Sequence, residues 1–215
     1  MVCAKLVVLL SFAVTGCESD LPDISGIWSQ TRGDWPVDDT PYTVAGQAVQ
    51  DAWDPDTDPV LKCIHHFGRV ITAPFPVEIL QTPGRVTFLY ENGHEVRRVF
   101  MDGRRHPDNE PPTVMGHSTG HWEGTTLVVD TIGIGAGFLR PEGLPNTADI
   151  HVTERYTPAG DSMRVSLTVD DPEYYTGPFV VSRDMERSPE LEILEYNCIV
   201  RGYLYETFSS DGASP

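Results

Sequence analysis

The segment from Arg85 to Met101 constrains this chain more than any other. Val86, Phe88 and Tyr90 alternate with other residues, the run breaks at Asn92-Gly93, and a second alternating run follows from Glu95. Alternation is the pattern of a half-buried strand, and Asn-Gly suits a two-residue type I′ turn. That turn sets Glu91 against His94, Tyr90 against Glu95, Phe88 against Arg97 and Val86 against Val99. Opposed residues share a face, so the apolar set of the first strand carries Glu95 and Arg97 inward with it. Two other runs place one charge in an apolar row: Glu154 among Ile150, Val152 and Tyr156, and Arg183 among Phe179, Val181 and Met185. By contrast, Met163, Val165, Leu167 and Val169 form an unbroken apolar row, with Arg164, Ser166, Thr168 and Asp170 facing water. Buried charges are costly unless paired, so Glu95, Arg97, Glu154 and Arg183 should meet one another or a ligand.

The rest of the chain reads the same way. With 19 Gly and 18 Pro as punctuation, strands are expected at Ile24–Gln30, Val77–Gln81, Arg85–Glu91, Glu95–Met101, Thr126–Thr131, Ile150–Thr157, Met163–Val169, Phe179–Glu186 and Glu192–Cys198. No amphipathic helix longer than about ten residues is expected, apart from a turn near Val44–Trp53. Residues 31–62 and 133–148 read as long loops. The pattern predicts an all-β fold in one domain, a single antiparallel β-barrel, with a β-sandwich as the alternative. Gly26-Ile27-Trp28 at the start of the first strand resembles the opening of lipocalins, which implies a lipocalin-like (calycin) barrel with the Trp plugging its closed end.

The N-terminus gives an address. Lys5 precedes the apolar run Leu6–Val14, which is too short to span a bilayer, and Val14-Thr15-Gly16-Cys17 resembles a bacterial lipobox. That implies a signal peptide over 1–16, cleavage before Cys17 and lipidation of its sulfur. A tether to residue 23, a barrel domain over 24–208 and a tail over 209–215 follow. The expected location is the bacterial cell envelope at the outer membrane, with a lipid anchor as the sole membrane contact. Formal net charge is −17, and −18 without residues 1–16, which hold Lys5 and no acid. Such a surface repels nucleic acid and anionic lipid, which excludes both as partners. With Cys17 lipidated, Cys63 and Cys198 are most simply a disulfide in an exported chain. It would close a loop of roughly 135 residues, about 4–5 kcal/mol on the chain-entropy argument.

The densest polar cluster runs from Val114 to Gly124. His117 and His121 do not suit a metal: in extended chain they lie about 13 Å apart, and no His-x-His or HExxH spacing occurs. His65 and His66 are adjacent and would point to opposite faces. No metal and no cofactor is therefore expected. Gly116-His117-Ser118-Thr119-Gly120 fits the nucleophile-elbow string, but it lacks the preceding parallel strand and following helix. General acid–base chemistry remains open. His117, Asp130 and Glu154 are the candidate catalytic residues, with Arg97, Tyr90, Glu95, Trp122 and His151 as candidates for holding substrate.

A longer resemblance covers residues 60–198. Val77–Val86, Val96–Pro107, Met115-Gly116-His117-Ser118, Trp122-Glu123-Gly124, Leu127–Thr131 and Val152–Tyr156 resemble a large family of uncharacterised exported bacterial proteins. The resemblance implies export, a shared fold and Cys at positions 63 and 198, and supplies no reaction. Asn146 and His121 depart from its usual His and Arg.

Three functions fit these readings. One is an envelope enzyme of the lyase, hydratase or isomerase type acting on a small organic molecule. Another is a non-catalytic carrier of a small amphipathic ligand. The third is a structural lipoprotein. The oligomeric state is not legible in the sequence.

Overall fold

A computed structural model describes residues 21–34, 39–109 and 111–198. The signal peptide, Cys17 and the 209–215 tail lie outside them.

The elements in chain order are β1 (Gly26–Asp34), α1 (Val44–Asp51), α2 (Phe67–Ile71), β2 (Val77–Thr82), β3 (Arg85–Tyr90), β4 (Val96–Phe100), β5 (His117–Glu123), β6 (Thr126–Ile132), β7 (Gly137–Phe138), β8 (Pro145–Asn146), β9 (His151–Ala159), β10 (Ser162–Asp170) and β11 (Phe179–Arg187). Nine strands close into a barrel in the order β1-β11-β10-β9-β6-β5-β4-β3-β2, while β7 and β8 form a separate small ladder. The expected all-β barrel is what the chain forms, and the sandwich alternative is excluded by closure.

One detail departs from a purely antiparallel ring. Strands alternating in direction cannot close a ring of nine without one parallel neighbour pair. That pair is β4–β5, and its ladder holds only Val99↔Ser118 and Phe100↔Thr119. The connection from Met101 to Gly116 therefore crosses the barrel wall instead of turning tightly.

The β3–β4 register is the one the alternation predicts: Val86↔Val99 and Phe88↔Arg97 are partners, and the Tyr90 amide donates to the Glu95 carbonyl. The turn itself is longer than the expected type I′. Glu91 is right-handed helical and Gly93 and His94 both take positive φ, so four residues make the bend and Glu91 does not ladder with His94. The predicted inward rows also hold. Met163, Val165, Leu167 and Val169 are buried in the core, and Arg97, Glu154 and Arg183 are buried among apolar neighbours.

Two strands are placed differently from expectation. His117–Glu123, read as a Gly-rich motif, is β5; Gly120 is required there because a Cβ would sit 2.7 Å from Val99 Cγ1 and 2.8 Å from Met101 Sδ. Glu192–Cys198 is not a strand. It runs as a strap fixed by the Cys63–Cys198 disulfide and by the Leu194 amide, which donates to Glu91 Oε2 at 3.0 Å. The disulfide expectation holds.

Each barrel end is covered. At the end bearing the 82–85 and 159–162 turns, Trp28 is fully buried and donates from Nε1 to the Ile24 carbonyl at 2.9 Å. The Arg187 guanidinium lies 4.5 Å from the Trp28 ring and donates to the Ser25 and Asp23 carbonyls. Gly26, at φ +121°, leaves room for it, since a Cβ there would stand 2.8 Å from Arg187 Nη1. This accounts physically for the Gly-x-Trp sequence. At the other end, α2 buries Phe67, Gly68, Val70 and Ile71, and Asn92 Nδ2 ties it to the β3–β4 turn through the Arg69 carbonyl at 2.9 Å.

The expected turn near residue 44 is α1, N-capped by Thr43 Oγ1, which accepts from the Gly46 amide at 3.1 Å. A Cβ on Gly46 would lie 2.1 Å from the Tyr174 carbonyl oxygen, a backbone atom that cannot swing away. Gly46→Ala is expected to lower stability by about 1–3 kcal/mol through overpacking, despite alanine's better helix propensity, and a thermal melt would show the fall.

Candidate functional site

Inside the barrel, Arg97 on β4 reaches across the gap where the β4–β5 ladder stops. Its Nε donates to Ser118 Oγ at 2.9 Å and its Nη2 to Thr131 Oγ1 at 2.6 Å and to Glu154 Oε2. The Tyr156 hydroxyl donates to Glu154 Oε1 at 2.6 Å, so both carboxylate oxygens are engaged. The guanidinium lies 5.2 Å from the Phe67 ring and 5.8 Å from Phe88. Arg97 is 1% exposed and Glu154 is fully buried.

Burial is the strongest influence and works against the Arg97 charge, but the Glu154 carboxylate, Tyr90 and Tyr156 together outweigh it and hold the guanidinium above its ordinary pKa. Burial pushes the Tyr90 and Tyr156 phenols up, so both are neutral donors near neutral pH.

The interior is not fully matched in charge. Arg183 on β11 is also buried, with Glu154 among the charges acting on the same two phenols. Four polar atoms there are buried without a close hydrogen-bond partner: Arg97 Nη1, Arg183 Nε, the Tyr90 hydroxyl and, on the inward row of β1, Gln30 Oε1. The two guanidinium atoms are donors and Gln30 Oε1 is an acceptor, while the Tyr90 hydroxyl can donate or accept and has Arg97 as its hydrogen-bonding neighbour.

A second polar network lies on the outside of the sheet. His106, in the β4–β5 connection, meets His117 Nδ1 through its own Nδ1 at 2.8 Å and Asp130 Oδ1 through Nε2 at 2.7 Å. Asp130 Oδ2 meets His151 Nε2 at 2.6 Å, and Thr119 Oγ1 lies 3.3 Å from His106 Nε2. The ring of His117 stacks on Phe100 at 5.3 Å.

The candidates named from sequence therefore divide. Arg97, Glu154 and Tyr90 come together inside. His117, Asp130 and His151 come together outside, with the sheet between the two groups. The expectation that His117, Asp130 and Glu154 form one catalytic set is corrected by register: Val129 pairs with Glu154, so Asp130, one residue on, faces the opposite way. Glu95 is not carried into the core with Arg97. It is half-buried at the turn, where burial pushes its carboxyl up. Trp122 lines a different cleft, beside Gln81–Gly84 at the Trp28 end. His121 is exposed and pairs with Glu123 at 3.2 Å. Ser118 faces inward as an acceptor for Arg97, so the elbow string is coincidental. His106 went unnoticed, since its partners lie 11 and 24 residues away and no local spacing marks it. Among the described residues no group of three or more His, Cys, Asp or Glu is arranged to hold a metal, and no helix is long and apolar enough to cross a membrane.

The outer cluster has a pH signature. The hydrogen bond to Asp130 raises the His151 pKa above 6.5, and the bond from His151 leads the causes that lower Asp130 below 3.8. The His151 contribution to stability is complete below its ordinary pKa and is lost as pH rises through the raised one. The Asp130 contribution is present above its ordinary pKa and lost as pH falls through the lowered one. The pair therefore supports the fold between these limits. Asp130→Asn is expected to return the His151 midpoint to the ordinary histidine range, read by NMR titration; an unmoved midpoint contradicts the assignment.

No protein-family description and no curated protein matches the sequence. Among solved structures, the chain is similar to a REP1-NXSQ fatty acid transporter at TM-score 0.41 and 14% identity, over 78% of this chain and 97% of that one. It is similar to the zebrafish ileal bile acid-binding protein complexed with cholic acid at 0.39 and 15%, over 76% and 98%. A secretary abundant heat soluble protein from Ramazzottius varieornatus gives 0.40 and 10%, over 77% and 95%. Identities this low carry no ligand and no residue role across.

Proposed function

We propose that this barrel is a carrier for a small amphipathic carboxylate, bound with its head group against Arg97, Arg183 and Tyr90. The observation that carries the reading is the interior charge imbalance. Among the described residues, Arg97 and Arg183 are both buried inside the barrel against the single carboxylate of Glu154, and Arg97 Nη1 and Arg183 Nε lack a close acceptor. An interior kept for stability alone is better served by matched charges or apolar packing. A ligand carboxylate supplies the missing acceptor and the missing negative charge, in the charge-assisted geometry arginine favours. Its hydrocarbon would pack on the rings of Phe67, Phe88 and Tyr156, which already surround the Arg97–Glu154 pair.

The acid–base enzyme reading has less support, because its proposed proton-transfer groups lie on two sides of the sheet. The envelope address through a lipidated Cys17 belongs to the same proposal and suits a carrier held near a membrane source of amphiphiles.

Isothermal titration with dodecanoic acid and dodecanol tests the reading. A charged hydrogen bond is worth about 1.5–3 kcal/mol, so the acid is expected to bind roughly 10–100-fold more tightly than the alcohol. Arg183→Met is expected to erase that preference while leaving a cooperative fold. Equal binding of acid and alcohol, or no binding of either, rejects the proposal.

A further inference from the structure

The barrel wall is incomplete at one place. On the β5 side, β4 is paired only at Val99 and Phe100, so Val96–Arg98 have a ladder partner only in β3. An outer cleft of about 790 Å³ opens there, lined by Arg98, Arg104, Arg105 and His117 and reaching Arg97. The side chain of Arg97 spans this break, bonded to Ser118 on β5 and Thr131 on β6, and its Nη1 is buried without a partner. The same residue is thus both the floor of the cleft and part of the interior donor set.

The charge at the cleft runs against the rest of the molecule. In a chain of net charge −17, three arginines gather within eight residues at this seam. Arg104 is neutralised by Asp102 at 2.6 Å and lies 3.8 Å from the Phe100 ring. Arg98 and Arg105 are exposed and make no ion pair among the described residues. Glu95, the acid lining the cleft, has its carboxyl pushed up by burial. An anion repelled elsewhere on the surface is drawn to this spot. The two barrel ends offer no comparable path. One is filled by Trp28 under Arg187, the other by α2.

We propose that the β4–β5 cleft is an outer docking subsite for the carboxylate of the ligand, held by Arg98 and Arg105, from which it passes to Arg97 through the break in the wall. This rests on the reading of the barrel interior as a carboxylate site. The passage requires side-chain motion of Arg97 and parting of at most two ladder pairs. Admission at either end would require displacing Trp28 or α2.

Stopped-flow fluorescence with cis-parinaric acid measures the association rate at low and high salt. Arg98→Glu/Arg105→Glu is expected to slow association at least about tenfold at low salt and to remove its salt dependence, the scale of electrostatic steering. Thr113→Trp, which fills the cleft from an exposed position, should slow association at every salt concentration. Asn92→Ala, which frees α2 from the β3–β4 turn, should leave the rate unchanged. An unaltered rate in the first two variants, or a faster one in Asn92→Ala, overturns the subsite. In Arg183→Met, octanoate is still expected to shift the His117 imidazole resonances, because the docking subsite is intact there; no shift also overturns it. Absence of tight binding in the wild-type protein with the His117 shift retained would instead count against the interior site alone.

Discussion

Glu154→Ala is expected to destabilise the protein by about 3–5 kcal/mol, read as a fall in the urea midpoint with little change in slope. The loss is large because the variant removes the one carboxylate engaging Arg97, strands that guanidinium in the core and leaves the Tyr156 hydroxyl without its acceptor. Burial by itself disfavours the Arg97 charge, and Glu154 leads the groups that reverse that balance. Glu154→Gln keeps an acceptor for Tyr156 and should fall between wild type and alanine. The pair Arg97→Met/Glu154→Leu removes both charges at similar volume and should recover most of the loss. If the double variant is as unstable as Glu154→Ala, the buried pair is held for packing shape and not for charge. Adding dodecanoate to Glu154→Ala should restore part of the stability, since a ligand carboxylate can stand in for the missing one.

Cys63→Ser/Cys198→Ser is the second large effect. The disulfide closes 135 residues and fastens the strap to the segment that leads into α2. Chain entropy sets the loss at about 4–5 kcal/mol, within the range of about 2–5 kcal/mol seen when native disulfides are removed from small secreted domains. Among the described residues the strap is otherwise tied by Leu194 to Glu91 and by Tyr196 to His94, His65 and Phe75. The variant should therefore lose protection from proteolysis in residues 188–198 at temperatures where the barrel core is still folded. A melt unchanged by the substitution would mean the strap contributes nothing to barrel stability.

The strands that proved legible are those whose alternation is unbroken. Val86, Phe88 and Tyr90 with Asn92-Gly93 placed Arg97 inward, even though the turn has four residues, because Gly93 and His94 absorb the extra length without changing the ladder. Strand β5 was hidden because Gly116 and Gly120 interrupt its apolar rhythm, and both are needed where neighbours crowd the backbone. Without β5 as a strand, His117 had no face and could be grouped with Glu154. Separating Asp130 from Glu154 requires knowing that β6 pairs with β9 at Val129↔Glu154, a contact between distant strands that no local pattern states. The strap at Glu192–Cys198 reads as a strand from composition, but it has no ladder partner and follows the disulfide instead. His106 belongs to neither pattern, since a loop residue gains its role only when the chain folds back over β5 and β6.

Nine is an odd number, and the consequence reaches beyond the barrel wall. Every other sequential junction in the ring joins strands that run in opposite senses, so it starts and finishes at the same end of the barrel whatever its length. The one same-sense join at β4–β5 must travel the full height of the barrel, and that distance sets its minimum length. Residues 101–116 are therefore a place where the ring could be opened to give new termini, or lengthened by insertion, without disturbing the register of any hairpin.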